Sequence, residues 1–333
     1  MSTTMVEVLR GDVVESRHRV HVAVTDADGA LRVRSGDPSV MAFARSAVKP
    51  FQALPLVEDG GVDAYGFTAG ELALMCASHS GERAHTAAAR SMLAKVGAAE
   101  DMLACGPHEP FHEASARALR EAGTAPTRVH NNCSGKHAGM LALARLHGWP
   151  LEGYHEASHP VQRRMLVEIV RWTGAAESDV GLAVDGCGVT TFALPLQSLA
   201  TAFARLARAS LDDGAAARVV DAMVSHPEMV GGTGRLCTDV MRVTHGRVFL
   251  KVGAEGVYCA ALRAEALGVA LKVEDGNVRA LYPALVAVLR GLGWIDDEEL
   301  GALGEFARPV IRNTRDEVVG ALRVRMALEP VHG

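Results

Sequence analysis

Near both ends of the chain, apolar residues alternate with polar ones, whereas the middle repeats them at helical spacing. Val20, Val22 and Val24 alternate in residues 19–25, Asp28-Gly29 supplies a turn, and Leu31 and Val33 resume the pattern. Residues 247–252, 256–263 and 269–273 read as further short strands, with 310–311 and 318–326 as possible additions. Between them, residues 84–96, 113–122, 136–147, 160–172 and 196–207 have helix-forming composition and near-3.6 periodicity. Gly123, Gly148 and Gly174 follow three of these segments and fit helix C-termini. Strands from both termini around a helical insert predict a composite α/β sheet domain, residues 1–60 plus 180–333. A mainly helical lobe then spans 61–179. No internal repeat or low-complexity tract interrupts this plan.

The 333 residues are 49% apolar and 22% charged, enough to bury a substantial core. A net charge of −5 without a basic run speaks against nucleic-acid or membrane-surface partners. The apolar run Val6, Val8, Leu9 is interrupted by Glu7, Arg10 and Asp12, too short for an export-signal core. Nowhere does an uninterrupted apolar stretch reach the ~18 residues of a membrane span. Six scattered cysteines, at 76, 105, 133, 187, 237 and 259, predict free thiols and a cytoplasmic protein.

Lysine is scarce, at 49, 95, 136, 251 and 272, so each one invites a reason. Ser46 and Lys49 stand three apart in Arg45-Ser46-Ala47-Val48-Lys49, with Pro50 following. If this opens a helix, both side chains share one face and Pro50 confines them to its start. A desolvated lysine there can take the hydroxyl proton and make a weak alcohol a nucleophile. Taken alone, Ser-x-x-Lys equally fits a helix cap beside a surface lysine. Lys251-Val252-Gly253 shifts the balance, because it lies on an expected strand in the C-terminal sheet. Penicillin-recognising enzymes pair Ser-x-x-Lys with a Lys-Thr-Gly element in this chain order, and this element is an imperfect version of it.

Two more segments carry reactive groups. In Cys76-Ala77-Ser78-His79-Ser80-Gly81-Glu82, Ser78 or Ser80 can serve as a second nucleophile or proton relay, with His79 nearby. The competing reading is a turn whose hydroxyls cap backbone. Asn131-Asn132-Cys133-Ser134-Gly135-Lys136-His137 lacks the upstream glycine and the Lys-Ser/Thr order of a phosphate loop. With Asp185-Gly186-Cys187-Gly188 it offers two cysteines that can share a metal or simply be small buried thiols; His137 and Asp185 are candidate partners.

Taken in order, residues 45–49, 76–82, 131–139, 184–190, 231–237 and 251–257 resemble the asparaginase II family, the thermolabile rhizobial-type L-asparaginases. The resemblance implies a serine β-lactamase or penicillin-binding-like α/β fold, with an antiparallel sheet built from both termini and an inserted helical lobe. It also implies hydrolysis of L-asparagine to L-aspartate and ammonia by two tandems, Ser46 with Lys49 and Ser78 with Lys251. A zinc ion held by Cys133, Lys136, Cys187 and water is implied as cofactor, with Arg45, Asn132, His137 and Asp185 lining the substrate pocket. The implied assembly is a homodimer. Two rivals remain: a penicillin-recognising acyltransferase or β-lactamase, and a non-catalytic amino-acid-binding protein. The four intact serines and lysines weigh against the second. Asparagine and glutamine differ by one methylene, worth only ~1–3 kcal/mol in a pocket.

Overall fold

The computed structural model describes residues 2–331. It is a mixed α/β structure that divides by contacts into a sheet unit and a helical unit. The sheet unit comprises the residues up to Ala47, Leu194–Arg208, and those from Asp239 onward. Its strands lie in the order Val310–Arg312, Val318–Arg325, Thr4–Arg10, Val13–Asp26, Leu267–Val273, Val257–Leu262 and Val248–Val252. Neighbouring strands run antiparallel throughout. Leu31–Ser35 adds to the long strand Val13–Asp26 and in turn pairs with Glu329–Pro330.

Both termini therefore build one sheet, as the alternation predicts. The first strand is the exception to what the alternation conveyed. Its interrupted apolar run is a strand pattern: Val6 and Val8 are buried, while Glu7 between them accepts hydrogen bonds from Arg17, Arg323 and Arg325. Those guanidiniums, led by Arg325, hold the Glu7 carboxyl down at about 2. Helix Leu196–Ala209 lies so close to the sheet that a Cβ on Gly268 would stand 2.1 Å from the Ala200 carbonyl oxygen. Helix Val278–Gly291 packs on the strands as well, capped by the Asn277 side chain accepting from Arg279 N–H.

The helical unit spans Val48–Ala193 and Ala209–Thr238. These limits differ from the division at 60 and 180, because helix Lys49–Glu58 and residues 209–238 make their contacts within the helical unit. Helix Lys49–Glu58 is buried through nine residues, from Lys49 to Val57. Helices Arg83–Val96, Glu113–Glu121, Ser134–Leu146 and Pro160–Thr173 sit where the periodicity predicts, each within two residues at its ends. Gly123, Gly148 and Gly174 follow three of them with φ of 61°, 66° and 72°, the left-handed region that lets a chain leave a helix.

One contact in this unit has no slack. Ser134–Leu146 crosses Ala69–Met75 through Gly135 and Gly139. A Cβ on Gly135 would meet the Leu74 backbone carbonyl oxygen at 2.3 Å, whereas one on Gly139 would meet the flexible end of Met75 at 2.5 Å. Gly135→Ala should therefore cost roughly 1–3 kcal/mol through forced separation of the helices. For Gly139→Ala, the gain of about 1 kcal/mol in helix propensity should offset the movement of Met75. Urea unfolding of the two variants checks this; equal midpoints would refute the account.

No helix among the described residues is long and apolar enough to cross a membrane.

Candidate active site

The helix start at Lys49 and the helix end at Met75 converge on one small region of the helical unit. Past Met75 the chain turns through Cys76 and Ala77, and the Ser78 N–H donates to the Val230 carbonyl at 3.0 Å. Lys49 is buried, and its amine donates to the Ala77 carbonyl at 2.5 Å. It also stands 3.3 Å from Ser78 Oγ, 3.2 Å from Cys133 Sγ and 3.5 Å from the Asn132 carbonyl. The expectation pairs Lys49 with Ser46; in the structure its amine reaches Ser78.

Cys133 precedes helix Ser134–Leu146 and Lys136 lies three residues on, so both project from the first turn on one side. The Asn131 side chain fixes this start by accepting from Cys133 N–H at 2.9 Å and donating to the Gly106 carbonyl at 2.9 Å. Cys187 arrives on a separate loop joining strands Gly181–Val184 and Thr190–Pro195. That loop closes through Asp185 N–H to the Val189 carbonyl and Gly188 N–H to the Asp185 carbonyl, both at 2.8 Å, with Gly188 at φ 90°. The Lys136 amine contacts Cys187 Sγ at 3.0 Å, and Cys133 and Cys187 share a hydrogen bond.

The electrostatics follow from this packing. Its hydrogen bond with Cys187, helped by the Lys49 and Lys136 charges against the penalty of burial, holds Cys133 well below an ordinary thiol. Cys187, its donor, is pushed up. Burial works against the Lys136 ammonium, but the two sulfurs outweigh it and raise its pKa. The resulting picture is a thiolate and a thiol gripping an ammonium. Among the described residues, no three His, Cys, Asp or Glu side chains cluster as a metal site. The Lys136 amine and the Cys187 sulfur, 3.0 Å apart, with Cys133 hydrogen-bonded to Cys187, are nevertheless donor types that suit zinc once deprotonated.

Histidines near Ser78 have structural jobs. Gly81 N–H donates to His79 Nδ1 at 3.1 Å, so the proton sits on Nε2, which donates to Ser134 Oγ at 2.9 Å. Ser134 passes its own proton to the Val129 carbonyl. His85 accepts from Glu82 N–H and faces the Glu228 carbonyl through Nε2, and the two rings stack 5.0 Å apart. Burial holds both imidazoles below their ordinary value, His79 well below. His79 thus has no lone pair for a serine. Ser80 is equally committed, donating to the Gly231 carbonyl at 2.9 Å and accepting from Arg235. Gly232, at φ 110°, is forced: a Cβ there would stand 2.5 Å from Glu82 Oε1.

His137 is fully buried, with Nδ1 2.6 Å from the Tyr154 hydroxyl. Burial, then the charges of Lys136 and Lys49, hold it well below its ordinary value. Asp185 is half-buried, accepts from Gly186 N–H at 2.7 Å, and lies close enough to favour the Lys136 charge. Lys49, Ser78, Asn132, Cys133, Lys136, His137, Asp185 and Cys187 are all in the helical unit. Tyr154 is a residue sequence reading missed; no spacing pointed to it.

Arg45, Ser46 and Lys251 belong to the sheet unit. Arg45 and Ser46 occupy a single 3-10 turn, Arg45–Val48, with Arg45 at φ 49°, a conformation rare outside glycine. Lys251 is fully buried on strand Val248–Val252 and donates to the Val252 carbonyl at 2.8 Å. The strand end and the turn meet at Gly253, where a Cβ would stand 2.8 Å from the Ala44 carbonyl oxygen. Glycine at 253 is what allows the lysine-bearing strand to close on the serine-bearing turn.

No curated protein matched the chain. The model of one protein family, L-asparaginase II, matches residues 6–324, a span that contains every residue of the site above. The buried Lys49–Ser78 contact lies within that span, and the chain belongs to the L-asparaginase II family.

Proposed function

We propose that this protein hydrolyses the side-chain amide of L-asparagine to L-aspartate and ammonia, with Ser78 as a nucleophile and Lys49 as its base. The contact that carries the reading is the Lys49 amine 3.3 Å from Ser78 Oγ. As a free base, Lys49 keeps two N–H bonds, enough to donate to the Ala77 carbonyl and toward Cys133, while its lone pair accepts the Ser78 proton. Ser78 Oγ then bonds to the amide carbon, and the proton on Lys49 goes to the departing nitrogen, which leaves as ammonia. Water, deprotonated by the same amine, attacks the ester; the serine regains its proton and aspartate leaves. Proton transfer by a positioned base of this kind contributes about 10²–10⁴-fold. The two tandems implied by the family resemblance, Ser46 with Lys49 and Ser78 with Lys251, stay part of the reading, with Arg45 and Asp185 as charge partners of the substrate α-carboxylate and α-ammonium. The serine β-lactamase-like fold is part of the same proposal, supported by the antiparallel sheet built from both termini.

Ammonia release from L-asparagine and L-glutamine, measured side by side, tests the activity. Ser78→Ala should lower kcat by at least ~10³-fold, and mass spectrometry of wild type quenched during turnover should find an acyl adduct on the peptide containing Ser78. Wild-type turnover in Ser78→Ala would overturn the assignment.

Zinc bound by Cys133, Lys136 and Cys187 belongs to the proposal. The supporting observation is the donor set itself: two sulfurs and an amine, buried and in mutual contact around a positive charge. When bound, zinc would supply a fixed positive charge that orients the substrate, since serine already provides the nucleophile. Binding must displace the Lys136 ammonium proton and the Cys187 thiol proton, about two per metal. Zinc affinity should therefore fall steeply with decreasing pH, and calorimetry in buffers of different ionisation enthalpy should report that release. Unaltered affinity in Lys136→Met would remove lysine from the ligand set.

A further inference from the structure

The helical unit buries three histidines, and two of them use both ring nitrogens within the protein. His79 and His85 each accept at Nδ1 from a backbone N–H and face a protein oxygen from Nε2. His137 differs, because its Nε2 is buried and has no hydrogen-bond partner in the protein.

The proton position on His137 can be deduced. Ala104 N–H donates to the Tyr154 hydroxyl oxygen at 2.8 Å, and that oxygen lies 2.6 Å from His137 Nδ1. A phenol has one proton to give. Its oxygen already accepts from Ala104, and among the described residues Nδ1 is the one acceptor within its reach. If Nδ1 carried the ring proton instead, the buried phenol proton would have no acceptor. The phenol therefore donates to Nδ1, and the ring proton sits on Nε2. Tyr154 is itself held in place by Ala104, so the chain runs from a backbone amide through a phenol to an imidazole. Few side-chain motions can disturb it.

We infer that Tyr154 is a positioning residue that locks His137 as its Nε2–H tautomer, so that His137 offers a fixed hydrogen-bond donor to an oxygen of the amino-acid substrate. A donor in that place donates to a carboxylate or carbonyl oxygen and repels an ammonium or amide NH₂, so it fixes which end of the substrate enters. The ligand's identity rests on the proposed function; the tautomer does not.

The test is nitrogen NMR of the full-length protein labelled at histidine, with His137 assigned through its loss in His137→Gln. Unprotonated Nδ1 and protonated Nε2 are expected in the free wild type, and added L-aspartate should shift Nε2. Tyr154→Phe should yield a mixture of tautomers and raise KM for asparagine ~10–100-fold, as loss of an orienting partner does, with a smaller change in kcat. A merely structural tyrosine would change stability without moving the tautomer. Protonated Nδ1 in the wild type overturns the inference, even if Tyr154→Phe does not fold. An unmoved Nε2 under saturating aspartate removes the substrate contact. A wild type with this tautomer but no ammonia release from asparagine leaves Tyr154 its role and defeats the proposed function instead.

Discussion

An amine taken out of water must be given acceptors, and the helical unit is arranged around two amines treated in that way. Lys49 rests on a carbonyl, a hydroxyl and a sulfur, and Lys136 on the Cys187 sulfur within the field of the Cys133 sulfur. Desolvation alone would drive the Lys136 amine toward neutrality. The sulfurs decide otherwise for Lys136, whose charge they hold, and they share the consequence: one becomes a thiolate and the other remains a thiol. Because both lysines press on Cys133, the serine–lysine contact and the candidate metal ligands form one electrostatic unit. A change to any of these side chains alters the charge seen by the rest.

What holds this unit in register is a set of main-chain groups, tied to one another and to short side chains. The Ser78 segment is tied to the Val230 carbonyl through its own N–H, and Ser80 and Glu82 clasp the Gly231–Thr233 turn. Behind Cys133 and Lys136, helix Ser134–Leu146 touches the Leu74 backbone through Gly135. Spacings set by main-chain contacts are insensitive to rotamer changes. That would suit the proposed proton transfer, since a misplacement of about 1 Å can cost roughly 10²-fold in rate.

Much of the fold was legible because periodicity survives in the sequence. The helices at 83–96, 113–121, 134–146 and 160–173 and the C-terminal strands follow from it. Helix Val278–Gly291 does not, because Pro283 sits inside it and reads as a breaker. The strand Thr4–Arg10 was hidden by Glu7, a charge at a nearly buried position that makes sense only beside arginines more than 300 residues away in Arg323 and Arg325. Within the site, Cys133 and Lys136 share a helical turn, a relation spacing can carry, though Lys136 drew notice only through the family resemblance. The Lys49–Ser78 contact joins a helix start to a loop residue 29 positions on, and Tyr154 acts through a histidine 17 residues earlier. Local pattern holds no trace of either pairing. His79 was ambiguous for the opposite reason: its commitments lie in backbone groups that a string of letters does not reveal.

Arg45 combines two demands that no single side chain satisfies cheaply. Its backbone adopts φ 49°, where glycine would be comfortable, yet the position carries a guanidinium directly before Ser46. Such a backbone costs about 1–3 kcal/mol, and if Arg45 holds the substrate as proposed, fold economy has yielded to chemistry at that point. On that proposal, thermal robustness and substrate binding would pull in opposite directions at Arg45, and a more durable protein need not be a better enzyme.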